Sequence, residues 1–438
     1  MNIARVKKIV KYLAIPLVLV GIGLAAWNRY MDKAGPVDLD DTKAAYQKAV
    51  ALDSDNVDGW NELGKGLLRT GELAPAEEAF RKVLALSESR QDKGTQAAAF
   101  GNLGLVYYTR GELGKAEKMH GKAFKLDEAL GDKDGIALDY GNLGNVYQTR
   151  GELDKAEWMY KKSFAIHEAL DSKEGMANQY GNLGLVYADR GELEQAEEMH
   201  EKALTIDEAL DNKKGMARDY GNLGLVYYTR GELEQAERIY KKSLEISEEL
   251  GLKGTTAIQY GNLGNVYKTR GELEQAEQTY WKALAINEAL GSKKGMAQDY
   301  GNLGLVYSTR GELDKAEQMY RKSLEISEAL GLKDITANQY GNLGLVYRTR
   351  GEMDQAEQMY KKALEINEAL DRKEGMAENY GNLGIVYEKR GELDQAEELW
   401  KKSLSLYEEM GASQHPGAKE VQQALDELAR QRSTTSTQ

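Results

Sequence analysis

Gly101-Asn102-Leu103-Gly104 returns as Gly141-Asn142-Leu143-Gly144, and again from Gly181, Gly221, Gly261, Gly301, Gly341 and Gly381, at a fixed step of 40 residues. A period of this length marks a repeat architecture, in which each unit is one supersecondary element that cannot bury its own apolar face and must stack on copies of itself. Within the unit that starts at Ala137, Tyr140, Leu143 and Tyr147 fall at i, i+3 and i+7, one stripe of an amphipathic helix, and Gly151 after Arg150 is its stop signal. A second stripe, Leu153, Ala156, Tyr160, Ser163, Phe164 and Ile166, belongs to a second helix ending near Leu170, so the unit is a helix hairpin. Asp132, Ser172, Asn212 and Ser292 stand before successive first helices as caps. Leu252 and Leu332 break that pattern, and there the cap is expected to shift or fray.

The chain of 438 residues exceeds the roughly 250–300 at which a single globular core stops growing, a limit that a repeat array escapes because each unit packs only on its neighbours. It carries 71 acidic and 58 basic residues, a net charge of -13. An acidic body repels phosphate backbones, which excludes nucleic acid as a partner. Without cysteine there are no disulfides and no thiolate chemistry. The histidines, His120, His167, His200 and His415, are scattered, so no metal centre, acid–base pair or cofactor site is expected, and the chain reads as non-enzymatic.

The spacing Tyr140, Leu143, Gly144, Tyr147, Ala156, Tyr160 and Ser163 resembles the tetratricopeptide repeat, whose pattern is Trp-x2-Leu-Gly-x2-Tyr followed by Ala, an aromatic and Ala. With six extra residues and no closing proline, the units resemble the longer variety found in kinesin light chains and cell-polarity adaptors. The resemblance covers about residues 41–431. It implies an all-α, right-handed α-solenoid that binds proteins or peptides on a concave face lined by the first helices. The expected organisation is an anchor or signal segment at 1–33, a linker at 34–40, an orphan helix at 41–53, nine repeats over about 57–410, a capping helix at 417–431 and a disordered tail at 432–438.

On that geometry the candidate groove residues form two ladders. The first is Asn102, Asn142, Asn182, Asn222, Asn262, Asn302, Asn342 and Asn382, whose amides can both donate to and accept from the backbone of an extended peptide, or can bond a neighbouring repeat instead. The second, one turn on, is Leu105, Asn145, Leu185, Leu225, Asn265, Leu305, Leu345 and Ile385. Variable residues follow at Tyr108, Gln148, Ala188, Tyr228, Lys268, Ser308, Arg348 and Glu388. The first glycine of each tetrapeptide is expected to face the groove, where adaptors that grip acidic carboxyl termini use lysine; the resemblance therefore stops short of such a clamp. The second removes a Cβ so that the paired helix can approach near Ala116. The Arg-Gly-Glu triplets read as turn chemistry matched to the helix dipoles, and Lys122, Glu128 and their equivalents as a solvated charged face. Near-identical units also suit a second role, a spacer or self-associating scaffold with an empty groove.

Residues Tyr12 to Trp27 run without a charge behind Arg5, Lys7, Lys8 and Lys11. This reads as a single-pass membrane segment with the amino end cytoplasmic and the repeats extracytoplasmic, periplasmic in a bacterium. Export after cleavage at Gly23-Leu24-Ala25 is the alternative. The array also shows an 80-residue rhythm: Ala123, Ser163, Ala203, Ser243, Ala283, Ser323, Ala363 and Ser403 alternate along the second helices.

Overall fold

The computed structural model describes residue 47 and residues 50–51, 53–69 and 71–435. They are helical throughout, with short turns. The chain divides into two compact units, one ending at Arg190 and the other starting at Gly191. The first unit holds α1 (Val57–Arg69), α2 (Leu73–Ser89), α3 (Lys93–Thr109), α4 (Leu113–Leu130), α5 (Lys133–Thr149), α6 (Leu153–Ala169) and α7 (Lys173–Asp189). The second holds α8 (Leu193–Ala209), α9 (Lys213–Thr229), α10 (Leu233–Glu249), α11 (Lys253–Thr269), α12 (Leu273–Leu290), α13 (Lys293–Thr309), α14 (Leu313–Leu330), α15 (Lys333–Arg350), α16 (Met353–Ala369), α17 (Lys373–Lys389), α18 (Leu393–Glu409) and α19 (Pro416–Thr435). Within each unit, helices pair as hairpins (α3 with α4, α11 with α12) and each hairpin stacks on the next. First helices of successive hairpins also touch, as α13 touches α15.

Each hairpin turn is the Arg-Gly-Glu triplet. Gly151 sits at φ 75, in the left-handed region that glycine enters at no steric cost, and the Glu152 amide then donates back to the Tyr147 carbonyl at 2.9 Å. Between hairpins the same left-handed turn is made by Gly131, Gly251, Gly291 and Gly331, but by Asp171, Asp211 and Asp371 elsewhere. The caps are more selective than the sequence pattern implies. Asp132 accepts from the Gly135 amide at 3.1 Å and Asn212 from Gly215 at 3.2 Å, whereas Ser172 and Ser292 make no side-chain cap bond. Nor do the helices behind Leu252 and Leu332 shift: both begin in register, and Thr256 and Thr336 bond the Leu252 and Leu332 carbonyls from inside the first turn.

The core lies between the helices of each hairpin and at the joints. In the second unit it gathers Tyr240, Leu263, Val266, Tyr280, Leu303, Val306, Tyr320, Leu343 and Tyr360. The second glycine of each tetrapeptide makes this possible, though not through Ala116. A Cβ on Gly144 would lie 2.5 Å from the Tyr160 ring, and one on Gly264 2.5 Å from the Tyr280 ring, so the glycine admits an aromatic ring onto the first helix. The first glycine only partly faces open space. A Cβ would meet nothing on Gly101 or Gly261, but on Gly221 and Gly301 it would lie 2.8 Å from the Gln259 and Gln339 amides of the next hairpin.

Two expectations change at the ends. Among the described residues no helix is long and apolar enough to cross a membrane, and the run Tyr12–Trp27 lies outside them. The single-pass placement, with repeats held across a membrane, is corrected accordingly. The orphan helix at 41–53 falls mostly outside the described residues, although Val50 is buried with Leu63, Leu67 and Phe80. At the other end α19 runs past 431 to Thr435 and buries Ala418, Val421 and Leu428.

Candidate functional site

All eight asparagines of the first ladder are half-buried on first helices, and four are engaged within the protein. Asn102 donates to Asn61 of the preceding hairpin at 3.0 Å, Asn382 accepts from Arg348 at 2.7 Å, and Asn182 and Asn262 reach Gln179 and Gln259 on their own helices at 3.3 Å. Among the described residues, the Asn142, Asn222, Asn302 and Asn342 amides have no such bond. Asn145 and Asn265 of the second ladder are tied inward, each accepting a hydrogen bond at 2.7 Å from a buried tyrosine hydroxyl, Tyr160 and Tyr280. Where Leu345 takes that place, the Tyr360 hydroxyl is left without a partner among the described residues. Leu225 and Leu345 are exposed, at 44% and 37%, while Leu105, Leu185, Leu305 and Ile385 are half-buried.

The exposed face of a first helix is wider than the two ladders. It begins one turn earlier at Leu138, Ile258, Gln298 or Asn338, and ends at a threonine such as Thr269 or Thr309. Ile258 is 62% exposed, an apolar side chain with no core to enter. The pattern could have been found in the sequence, because these positions lie at i-4 from the asparagines and vary from repeat to repeat. On α11, α13 and α15 the complete stripe is Ile258, Asn262, Asn265, Thr269; Gln298, Asn302, Leu305, Thr309; Asn338, Asn342, Leu345, Thr349. None of these carries a charge. By contrast, the exposed side chains of the second helix α14 are mostly ionised types, Asp314, Lys315, Arg321, Glu325 and Glu328, with Gln318, Ala329 and Leu330 beside them.

Four of the eight variable residues on the flank of this stripe bind the next first helix, Arg348 through Asn382 among them. The Tyr108 hydroxyl meets Thr149 at 2.9 Å, Tyr228 meets Thr269 at 3.0 Å, and Gln148 donates to Asp189 at 2.7 Å. Lys268 is different: burial alone pulls its ammonium below the ordinary lysine range, and no acidic partner opposes that pull.

The recurrent glutamate and arginine of the joints are structural. In each joint a glutamate of one second helix accepts from the tyrosine and arginine of the following first helix. Glu117 takes the Tyr147 hydroxyl at 2.7 Å and Arg150 at 2.7 Å, and Glu237 takes Tyr267 at 2.9 Å and Arg270 at 2.5 Å. The arginine of the Arg-Gly-Glu triplet thus reaches back to the previous hairpin. Burial raises Glu77, Glu157, Glu237 and Glu357, but their hydrogen bonds outweigh it and hold each carboxylate at about 2. Lys322 and Glu288 flank Tyr300, the lysine 5.0 Å from the ring centre and the carboxylate accepting from the hydroxyl at 3.2 Å.

His120 and His200 fill the aromatic position of their hairpins, and burial drives both imidazoles down to about 4, so they are neutral at pH 7. Among the described residues no group of three His, Asp or Glu side chains could hold a metal ion. A surface hollow of about 530 Å³ at the α15–α16 turn is lined by Arg348 and Thr349, by Gly351 and Met353 of the turn and the start of α16, and by Ile385 and Lys389 of α17.

Tetratricopeptide repeat models match residues 95–169, 175–249, 255–329 and 335–425, and a second model of the same description matches 38–93. The chain is a tetratricopeptide repeat protein. Tetratricopeptide arrays are, as a rule, non-enzymatic scaffolds for protein interaction, and this array has the same architecture, tandem helix hairpins with exposed first-helix faces. No curated protein matches the chain. Solved structures do. The apo quorum sensor NprR from B. thuringiensis aligns with 14% identity over 82% of this tetratricopeptide chain and 99% of its own, at a TM-score of 0.57. A signal-transduction ATPase with a tetratricopeptide repeat sensor from Pyrococcus horikoshii aligns with 18% identity over 76% of this chain and 52% of its own, TM-score 0.57. Aspartyl phosphate phosphatase F from Bacillus subtilis gives 13% identity over 81% and 94%, TM-score 0.52. At these identities the likeness is one of fold.

Proposed function

We propose that this tetratricopeptide protein is a non-enzymatic scaffold that holds peptide or short helical segments of partner proteins against its first-helix faces. The observation that carries the reading is the contrast between faces. Second helices such as α14 present mostly ionised side chains to water, whereas the first-helix stripe on α11, α13 and α15 carries no charge and presents amides, hydroxyls and isolated aliphatic groups. Such a surface has donors and acceptors for a peptide backbone and shallow apolar contacts for its side chains. A competing reading is a spacer with an empty groove, and the bonds Asn102–Asn61, Asn145–Tyr160 and Asn265–Tyr280 favour it locally, because there the amides serve the array.

The test separates the two. The full chain is immobilised and used to select from a displayed library of random twelve-residue peptides, and the enriched peptides are measured against a triple variant, Asn222→Ala, Asn302→Ala and Asn342→Ala. The binding reading expects enriched peptides whose Kd rises about tenfold or more, while the melting temperature holds or rises because alanine favours the helix by about 0.5 kcal/mol per site. A library that yields no binder, or binders indifferent to the triple variant, overturns it in favour of the spacer.

A further inference from the structure

Among the described residues, the uncharged stripe on α11, α13 and α15 has one cation on its flank whose head group makes no side-chain bond. Lys268 is half-buried beside Thr269 and, among the described residues, its ammonium has neither a hydrogen bond nor an ion pair. Its counterpart on α15, Arg348, donates to Asn382 at 2.7 Å. The residue 34 positions after Lys268 is Asn302, whose amide has no corresponding bond. An ammonium that has lost water without gaining a partner is an unfavourable arrangement in the free protein, and an anion brought to it by a ligand relieves the cost.

We propose that the stripe receives an extended, otherwise uncharged stretch of a partner protein, and that one Asp or Glu side chain within that stretch sits against Lys268. The inference rests on the peptide-binding reading above and names the partner's chemistry. An extended segment fits better than a helix, because a helix has already satisfied its backbone groups and leaves the Asn302 and Asn342 amides nothing to hold. A helix also needs a continuous apolar track, and here Ile258, Leu305 and Leu345 are separated by amides and hydroxyls. The carboxylate is internal and not terminal: ladder amides continue on both sides of Lys268, at Asn222 and at Asn302, so the segment runs on past it. The absence of ionised groups from the stripe disfavours a strongly charged segment, which would lose water without compensation.

The same library selection tests this with two further variants of the full chain, Lys268→Met and Lys268→Glu. Peptides enriched on the wild type should carry one acidic residue, few basic ones and no amphipathic helical pattern. A synthetic binder should weaken about tenfold or more on Lys268→Met, and replacing its acid by the amide should cost as much on the wild type but nothing more on Lys268→Met, the signature of a coupled pair. Selection on Lys268→Glu should move the enriched residue from acidic to basic. Removing a half-buried, unpaired ammonium should leave the melting temperature unchanged or higher, so loss of binding is not loss of fold. Binders that respond to the asparagine variants but not to Lys268→Met, or that are helical or basic, overturn the inference and leave the peptide-binding reading standing. Self-association of the chain that Lys268→Glu abolishes would make a second copy the occupant and overturn it as well.

Discussion

Replacing Glu237 by glutamine asks how much one joint depends on its carboxylate. Glu237 is 18% exposed at the side chain and accepts from Lys241 at 2.7 Å, Tyr267 at 2.9 Å and Arg270 at 2.5 Å. Burial raises its pKa, but these bonds bring it from 4.5 down to about 2. A shift of that size corresponds to about 3 kcal/mol of preference for the charged form in the folded state. Solvent screening, and Glu272, which stays 3.1 Å from Arg270 in the variant, reduce the expected loss to about 2 kcal/mol. The sign follows from the depressed value. The folded state favours the ionised carboxylate, so its stabilisation is complete above about pH 4.5 and is lost as pH falls toward 2. Melting temperature should be followed by circular dichroism from pH 7 to pH 2 for wild type and Glu237→Gln, with amide hydrogen exchange of α10 and α11 at pH 7, because a repeat array need not unfold as one two-state body. The variant should melt earlier at pH 7, lose protection in α10 and α11 first, and converge on the wild type near pH 2. A difference that is absent at pH 7, or that stays constant down to pH 2, would refute the account of the joint as a charge-assisted clamp.

Three other expectations follow from the same packing. Gly224→Ala places a Cβ 2.5 Å from the Tyr240 ring and should destabilise by about 1–3 kcal/mol, while Gly261→Ala meets open space and should stabilise by up to about 1 kcal/mol; paired thermal melts decide. Asp139 is pushed up to about 8 by burial and then by the Asp127 and Asp132 carboxylates, so the folded state holds its proton and stability should fall as pH rises from about 4 to about 8. Asp139→Asn should flatten that dependence in melts run across the range. Deleting Lys253–Leu332 should leave a shorter, well-protected array, whereas deleting only Lys253–Ser292 should leave a joint between α10 and α13 that exchanges faster than any joint of the longer deletion.

The repeat period, the helix pair within it and the burial of Leu143, Ala156 and Tyr160 were legible because they rest on apolar spacing, which a single chain displays directly. The joints were not. Glu117, Tyr147 and Arg150 recur with the same period as everything else, so periodicity cannot say that they meet; only the stacking of one hairpin on the next brings residues 30 and 33 apart into contact. The arginine therefore read as a helix-end charge. The candidate face was half legible. The asparagines were found from their recurrence, but recurrence is equally a property of Asn102, which bonds a neighbour, and of Asn302, which does not. Ile258 was missed because an isolated apolar residue at i-4 reads as an extension of the core stripe, and its exposure is set by the packing of the whole hairpin. The leader misled for a different reason: an uncharged run of membrane character is composition alone, and among the described residues no helix is long and apolar enough to cross a membrane.

The 80-residue rhythm has a physical basis in two kinds of joint. In hairpins of the serine type, Ser163, Ser243, Ser323 and Ser403 each donate to an alanine carbonyl of the paired first helix, Ser243 to Ala217 at 2.5 Å and Ser323 to Ala297 at 2.6 Å. The hairpin that follows supplies a glutamine, and Gln259 lies by Gly221 as Gln339 lies by Gly301, where the missing Cβ leaves it room. Thr256 and Thr336 complete this joint by reaching Ser247 and Ser327 at 3.1 and 3.0 Å. The next joint has other chemistry: Asn287 donates to the buried Asp299 at 2.7 Å, and Asp207 stands against Asp219. The two kinds alternate, so neighbouring hairpins are not interchangeable. Removing α11 and α12 brings Asp299 against Ser247, and a buried carboxyl loses the amide that bonds it. Removing α11 to α14 brings Thr336 and Gln339 to Ser247 and Gly221, the same residue types that wild-type α11 presents there, so the larger deletion disturbs the array less than the smaller one.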